Sequence, residues 1–349
     1  MTMTKKANIA IFIPHAGCPH QCSFCNQRKI SGQWSAPTPL QVQEQLAQAV
    51  ANLSPLRPAE IAFFGGSFTA LEREYMVSLL EVAHSFLGGN ITGIRVSTRP
   101  DAITKEIVSL LQQYGVTAVE LGAQSTNDAV LAMNRRGHTR EDIIKASQMI
   151  HQAGLELGLQ MMTGLYGSSP QLDKQTALDL LACSPKTMRI YPTVVFPETH
   201  LYTLYQQGEY TPPTLEETIP LCSELLLLCH SQGVSVIRLG LHGDSSLEGG
   251  IGPCHPALRE VCQSHVYYET VCRLLPVGWH TVTLRVHPTC LSQAIGQKRE
   301  NINRWAEIGC ICNVVGDHSI PPHGIGIKRK ENFHVPEILG STGLQILSR

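Results

Sequence analysis

Between residues 8 and 195 a short apolar run alternates about six times with a longer stretch whose apolar residues recur at helical spacing. The runs are Ile9 to Ile13, Ile61 to Phe64, Ile94 to Ser97, Ala118 to Leu121, Leu157 to Met161 and Arg189 to Val194. Runs of this length predict strands, and pieces such as Val42 to Leu53 and Asp142 to Ala153 predict the helices between them. Regular alternation of this kind is the pattern of parallel βα units. The expected fold is therefore α/β, a partial (βα)6 TIM-type parallel barrel two units short of closure. In such barrels the reactive groups sit on loops after the C-terminal ends of the strands, so motifs that directly follow each run should converge.

After Thr211-Pro212-Pro213 the rhythm changes. A Leu-rich helix from Glu216 to His230, a strand from Ser235 to Leu239, a Gly/Pro/Cys-rich loop from His242 to Pro256 and a strand, helix, strand set from Thr281 to Val315 predict a small α/β C-terminal extension. The division expected is 1–210 for the barrel and 211–349 for the extension, which should close the substrate side.

The chain of 349 residues, 43% hydrophobic and 16% charged, can bury an enzyme-sized core. A net charge of −1 gives no global attraction to nucleic acid or an anionic membrane, which leaves only local basic features as candidates. The apolar run Ala7 to Ile13 is too short for a membrane span and meets Pro14 and His15, so a cytoplasmic protein with no membrane partner is expected. Twelve cysteines without a secretory signal point to reduced thiols with metal or redox roles, several of them simply buried.

The sharpest chemistry lies in the loop after the first strand, Gly17-Cys18-Pro19-His20-Gln21-Cys22-Ser23-Phe24-Cys25. Three thiolates within eight residues can hold three irons of a 4Fe-4S cubane, whereas an electron carrier normally supplies four cysteines. The iron left open is what S-adenosylmethionine (SAM) requires: its amino and carboxylate groups chelate there, and one electron breaks the bond from sulfur to the 5′ carbon. A zinc site is the alternative, with His20 or His15 as fourth ligand. Gly65 and Gly66, in Gly-Gly-Ser-Phe-Thr after the second strand, let a ligand approach the backbone closely, although a bare Gly-Gly is often only a turn. Gln124 at the end of the fourth strand suits a ribose hydroxyl, and Arg136, placed on the following helix, suits a carboxylate by a two-pronged donor. Glu120 and Arg135 read equally well as surface ion-pair residues. Met161 and Met162 read as core or pocket wall.

The spacing Cys18, Cys22, Cys25 with aromatic Phe24 resembles the CxxxCxΦC signature of the radical SAM superfamily, and Gly65, Gly66 and Ser67 resemble its "GGE" element, with Ser67 where many members have an acid. Further words narrow the resemblance to the catalytic subunit of Elongator and its prokaryotic relatives: Ser-Thr-Arg-Pro-Asp at 97–101, Val-Glu-Leu-Gly-Ala-Gln-Ser at 119–125, Arg136-Gly-His-Thr, Arg-Ile-Tyr-Pro-Thr-Val-Val at 189–195, Ile237 to Leu241 and Gly252-Pro253-Cys254-His255-Pro256. The resemblance covers roughly residues 8 to 315. It implies a 4Fe-4S cluster on Cys18, Cys22 and Cys25. It also implies SAM contacts from Phe24, Gly65, Gly66, Ser67, Gln124, Arg136 and Tyr191, an external one-electron reductant, and an RNA base, as in tRNA, first among substrates. Two departures stand out. Elongator subunits space their cluster cysteines more widely, and they carry an acetyltransferase domain for which residues up to Arg349 leave no room, so acetyl-CoA chemistry is not expected here.

In the second half, Cys254 stands where relatives tend to place an aromatic residue, and its thiol could give a hydrogen atom to a substrate radical. Cys310 and Cys312 should share one face of a strand, as buried thiols rather than a second cluster. Ala294 to Ile302 opens a helix with Lys298 and Arg299 near Gly296. It resembles the backbone clamps of RNA-binding modules but lacks a GXXG loop, and helix-surface charge is the reading adopted. With Lys328-Arg329-Lys330 it is the local basic feature able to meet phosphates. The reading from another class is a non-catalytic RNA- or partner-binding protein with a structural cluster or zinc.

Overall fold

A computed structural model of the chain describes residues 7–14, 18, 21–26, 35–54, 57–241, 248–275, 281–328, 333–335 and 347–348. His15, Gly17, Pro19, His20, His242, His280, Arg329 and Lys330 lie outside the described residues. The chain clusters into two compact units, Met1–Pro212 with Asp244–Gly252, and Pro213–Gly243 with Pro253–Arg349.

The first unit is built on β1 (Ala7–Ile13), β2 (Ala59–Gly65), β3 (Ile91–Thr98), β4 (Val116–Gln124), β5 (Glu156–Thr163) and β6 (Thr187–Pro192). Each strand pairs in parallel with the next in chain order, giving the partial barrel that the alternating pattern predicts. The crossovers are α1 (Pro39–Ala51), α2 (Arg73–Ser85), α3 (Lys105–Gln113), α4 (Asp128–Met133) with α5 (Arg140–Gln152), and α6 (Pro170–Ala182), followed by α7 (His200–Gln206). Local chemistry sets where they begin. Thr38 and Thr139 form capping boxes with Gln41 and Asp142, which satisfies N–H groups that the first helical turn leaves open.

Alternate residues of the strands divide two environments. Ile61, Ile94, Val119, Leu121, Met161, Met188 and Ile190 are fully buried, each worth about 1.5–3 kcal/mol of apolar transfer. The intervening positions carry charge: Glu60, Arg95, Glu120 and Arg189 point to the other side of the sheet, and all are largely buried. Gly65 ends β2 with φ +112°, where a Cβ would lie 2.8 Å from the carbonyl oxygen of Ile13. Only glycine lets the ends of β1 and β2 close up this far.

The second unit contains α8 (Leu215–Ser231), β7 (Ser235–Leu239), α9 (Leu258–Leu274), β8 (Thr281–Val286), α10 (Leu291–Ile295), α11 (Glu300–Glu307), β9 (Ile311–Gly316), β10 (Ile325–Lys328), β11 (Phe333–Val335) and β12 (Leu347–Ser348). Its sheet runs β12-β11-β10-β8-β9, with β8 and β9 parallel and the other pairs antiparallel. Val271, Leu284, Val286, Trp305 and Ile325 form its core.

Two expectations are corrected here. Ala294 to Ile302 does not open one helix: α10 ends at Ile295, and Gly296 at φ 80°, ψ 158° is in a conformation no helix contains. Lys298 and Arg299 follow at φ 49° and 66° before α11 starts. Arg136 is not on a helix either, since Asn134 to His138 form the turn between α4 and α5. Cys310 precedes β9 and Cys312 lies in it, with their Sγ atoms 3.4 Å apart. Among the described residues no group of three or more His, Cys, Asp or Glu side chains is placed to hold a single metal ion, and no helix is long and apolar enough to cross a membrane.

Candidate active site

The loop that carries the cysteines is held by backbone and side-chain contacts made by Ser23 and Phe24. The N–H of Ser23 donates to the Asn134 carbonyl (3.1 Å), its hydroxyl donates to Asn134 Oδ1 (2.7 Å), and its carbonyl accepts from the Leu201 N–H at the start of α7 (2.7 Å). Asn134 is itself fixed, its Nδ2 donating to the carbonyls of Val130 and Tyr166. Phe24 packs between two apolar groups, Val195, Leu201, Leu204 and Tyr210 on one side and Val130, Met162 and Leu165 on the other. The Cys25 N–H closes the turn onto the Cys22 carbonyl at 3.2 Å. These contacts tie down the segment that carries Cys22 and Cys25, as a ligand-bearing loop requires.

Two of the thiols sit among cations. Cys22 is buried, and Arg136 Nη1 donates to its Sγ at 3.0 Å, while Nη2 donates to the Gly122 carbonyl at 2.6 Å. Burial and the neighbouring Cys22 push the Cys18 thiol above its ordinary value, whereas Arg136, Arg99 and the Ser67 backbone N–H act in the opposite sense. Arg99 is locked to Asp101 by two 2.9 Å bonds. Arg99 Nη1 and Arg136 Nε are buried with no hydrogen-bond partner. Buried donors are rarely left unpaired without a reason. A three-thiolate cluster and a bound carboxylate are anionic, so two buried guanidiniums with spare donors beside Cys18 and Cys22 suit that load.

The other expected residues stand at the strand ends. The Gly66 N–H donates to the Ile13 carbonyl (2.8 Å), beside a shallow depression lined by Ile13, Phe64, Phe68 and Ser97. The Ser67 side chain faces inward: its Oγ accepts from the Arg99 N–H (3.2 Å) and bonds Thr98 Oγ1 (2.9 Å), so it braces β2 against β3. Gln124 ends β4 at a bulge with φ 67°, accepting from Gln160 Nε2 at 3.2 Å. A non-glycine residue in that region of backbone space costs about 1–3 kcal/mol and is typical of ligand sites. Tyr191 is half-buried, with Arg189 Nη1 3.5 Å from its hydroxyl. Cys254 lies in the second unit, half-buried, and burial raises its thiol above the ordinary value. Arg135 is exposed and reaches His200 Nε2 at 2.9 Å.

Glu120 is no surface residue. It binds Arg189 through both oxygens, at 2.7 and 3.1 Å, and Arg95 at 3.4 Å, and Arg95 also reaches Glu60 (2.9 Å) and Glu156 (3.0 Å). The Arg189 guanidinium lies 4.9 Å from the centre of the Phe64 ring. The signal available in the sequence was the charged residue at an alternate position of an otherwise apolar run. Asn134 and Ser23 carried no such signal, because short polar residues in loops are common.

The fold and the family profiles that match the chain define a radical SAM enzyme. A profile of the Radical SAM superfamily matches residues 12–177, and one of the Radical_SAM C-terminal domain matches residues 185–267. The chain belongs to that superfamily, whose members use a 4Fe-4S cluster and SAM. It is similar to the tRNA uridine(34) acetyltransferase of Methanocaldococcus infernus, 28% identical over 263 residues that cover 64% of this chain and 49% of that protein. It is also similar to Elongator complex protein 3 of Danio rerio, 28% identical over 190 residues, covering 48% and 35%. The chain thus spans about half the length of the archaeal relative. Among solved structures the archaeal Methanocaldococcus infernus Elp3 with an N-terminal deletion shares the fold, with a TM-score of 0.62 at 20% identity over 97% of this chain and 76% of that one.

Proposed function

We propose that this radical SAM enzyme modifies a base of tRNA in the cytoplasm, with Cys18, Cys22 and Cys25 holding the cluster. The observation that supports the substrate is the similarity to tRNA uridine(34) acetyltransferases. The observation that supports the site is the fixed cysteine loop beside two buried guanidiniums. When bound and reduced by an external one-electron donor, the cluster supplies the electron that splits SAM into methionine and a 5′-deoxyadenosyl radical.

The chain's own residues bind and orient. Gly65 and Gly66 offer bare backbone to the SAM amino group, and Ser67 fixes the turn they belong to through Thr98 and Arg99. Gln124, held by Gln160, presents its amide toward a ribose hydroxyl. Arg136 has both terminal nitrogens engaged, so it serves the Cys22 ligand first and offers only Nε to a carboxylate. Phe24 and Tyr191 shape the apolar wall around the adenosyl group. Cys254, kept protonated by burial, is a hydrogen-atom donor to a substrate radical, and the external donor returns an electron and solvent a proton to the thiyl that remains.

The test is a comparison of modified tRNA nucleosides from cells with and without the gene, followed by anaerobic reaction of the purified enzyme with bulk tRNA, SAM and dithionite. Loss of one nucleoside in the deletion strain and its formation in the reaction support the reading. An unchanged nucleoside profile, with 5′-deoxyadenosine formed equally with and without tRNA, overturns the substrate while leaving the enzyme class intact.

A further inference from the structure

The turn between α10 and α11 is Gly296-Gln297-Lys298-Arg299, and its backbone is unusual in a defined way. Gly296 takes φ 80°, ψ 158°, and Lys298 and Arg299 both occupy the left-handed region. Two adjacent L-residues there cost about 1–2 kcal/mol each. The surroundings impose the shape. A Cβ on Gly296 would lie 2.9 Å from the Asn301 nitrogen and 3.2 Å from Ser264 Oγ. Buried Asn301 has its Nδ2 within 3.0 Å of the Ser264 carbonyl and 3.1 Å of the Ala294 carbonyl, and so fixes both ends of the turn onto α9.

The turn's side chains are exposed, and neither Lys298 nor Arg299 forms an ion pair with any described residue. Two unneutralised cations sit on a rigid turn in a chain whose net charge is only −1. The turn joins two short helices that lie between the parallel strands β8 and β9. RNA-binding modules of the KH type clamp the backbone of four nucleotides with a GXXG loop. The sequence lacks the second glycine of such a loop, but Arg299 at that position has the backbone conformation that glycine adopts freely, with its N–H donating to the Gly296 carbonyl at 3.1 Å. Absence of the glycine therefore leaves the left-handed backbone in place, and the residue standing there adds a phosphate-binding cation.

We propose that this turn clamps the sugar–phosphate backbone of single-stranded RNA, with Lys298 and Arg299 each meeting a phosphate. The proposal deepens the tRNA reading, on which the identity of the RNA rests, but the clamp itself stands on the second unit alone.

Fluorescence anisotropy of the full-length protein with a labelled single-stranded oligoribonucleotide unrelated to tRNA, and separately with tRNA, tests it over a range of salt. The double variant Lys298→Ala, Arg299→Ala should weaken oligonucleotide binding about tenfold, and the slope of log affinity against log salt should shrink by about 1.4, since each phosphate contact to a single strand contributes about 0.7. Arg299→Gly, which keeps the backbone shape and removes one cation, should show about half of that slope decrease and be at least as heat-stable as the parent. Oligonucleotide affinity and salt slope unchanged in the double variant, or no binding of single-stranded RNA by the parent, overturns the clamp. If tRNA is still modified normally in that case, the tRNA reading survives without it. Loop-dependent oligonucleotide binding without any change in tRNA nucleosides supports the clamp and removes the tRNA reading.

Discussion

Arg136 Nη1 donates to Cys22 Sγ at 3.0 Å, so a buried guanidinium is in direct contact with one of the three cysteines proposed to hold the cluster. Its other terminal nitrogen is spent on the Gly122 carbonyl, which orients the contact. Hydrogen bonds to cluster sulfurs and nearby positive charge favour the reduced, more negative state and so raise its potential.

The first prediction follows from that contact. Arg136→Ala should keep most of its iron but shift the cluster midpoint to a more negative potential, by about 60 mV if the two redox states differ by about 1.4 kcal/mol in their interaction with the guanidinium. Arg136→Lys, with the charge kept and the fork lost, should fall between. The measurement is potentiometric titration followed by electron paramagnetic resonance on the reconstituted protein. An unchanged midpoint in Arg136→Ala would show that the contact does not act on the cluster.

The second concerns the clasp between Ser23 and Asn134. Two hydrogen bonds join them in a buried setting, and removing one partner leaves a polar group unsatisfied, at about 1–3 kcal/mol. Asn134→Ala should reconstitute with less iron and lose it faster to a chelator than the parent. Ser23→Ala should act the same way, and the double variant should lose less than the sum, because the two residues share one interaction. Additive losses would show that the clasp is not a unit.

These cases also show what the sequence discloses. The barrel was legible because alternation of strand and helix is written in apolar spacing, and the cysteine loop because three thiols at that spacing are rare. Whether Glu120 was a surface or an interior residue stayed open, because one chain read linearly does not show that Glu60, Arg95 and Arg189 occupy matching positions on neighbouring strands. The shape of the Gly296 to Arg299 turn was hidden for a different reason: tertiary contacts from Asn301 and Ser264 force a conformation that Lys298 and Arg299 would not choose.

Cys254 provides the third prediction. Burial holds its thiol protonated at neutral pH, which suits hydrogen-atom transfer and disfavours nucleophilic attack. Cys254→Ser should retain iron and cleave SAM with tRNA present, yet yield at least tenfold less modified nucleoside per 5′-deoxyadenosine. Product formation in normal ratio to 5′-deoxyadenosine would assign the residue to packing alone.

The last prediction concerns pH. Burial, with Arg136 second, pushes His138 down to about 4, and its Nε2 faces the Ala123 carbonyl at 3.1 Å, so the ring is neutral in the folded protein. Burial pushes Asp173 up to about 6, against the opposing bonds it accepts from Ser168 Oγ (2.6 Å) and the Gly164 N–H (2.8 Å). Between about pH 4 and 6 the unfolded chain holds a proton on His138 that the native state lacks. Over the same range the native state holds one on Asp173 that the unfolded chain lacks. The histidine therefore makes stability rise with pH, and the aspartate makes it fall, each by up to about 1.4 kcal/mol per pH unit, so the two nearly cancel. In Asp173→Asn only the histidine contribution remains of this pair. That variant should lose about 2 kcal/mol more than the parent when the apoprotein is taken from pH 6.5 to 4.5, whatever the substitution costs at neutral pH. Urea unfolding of both proteins at the two pH values measures the difference, and parallel pH dependences would show that one of the two groups keeps its ordinary protonation in the fold.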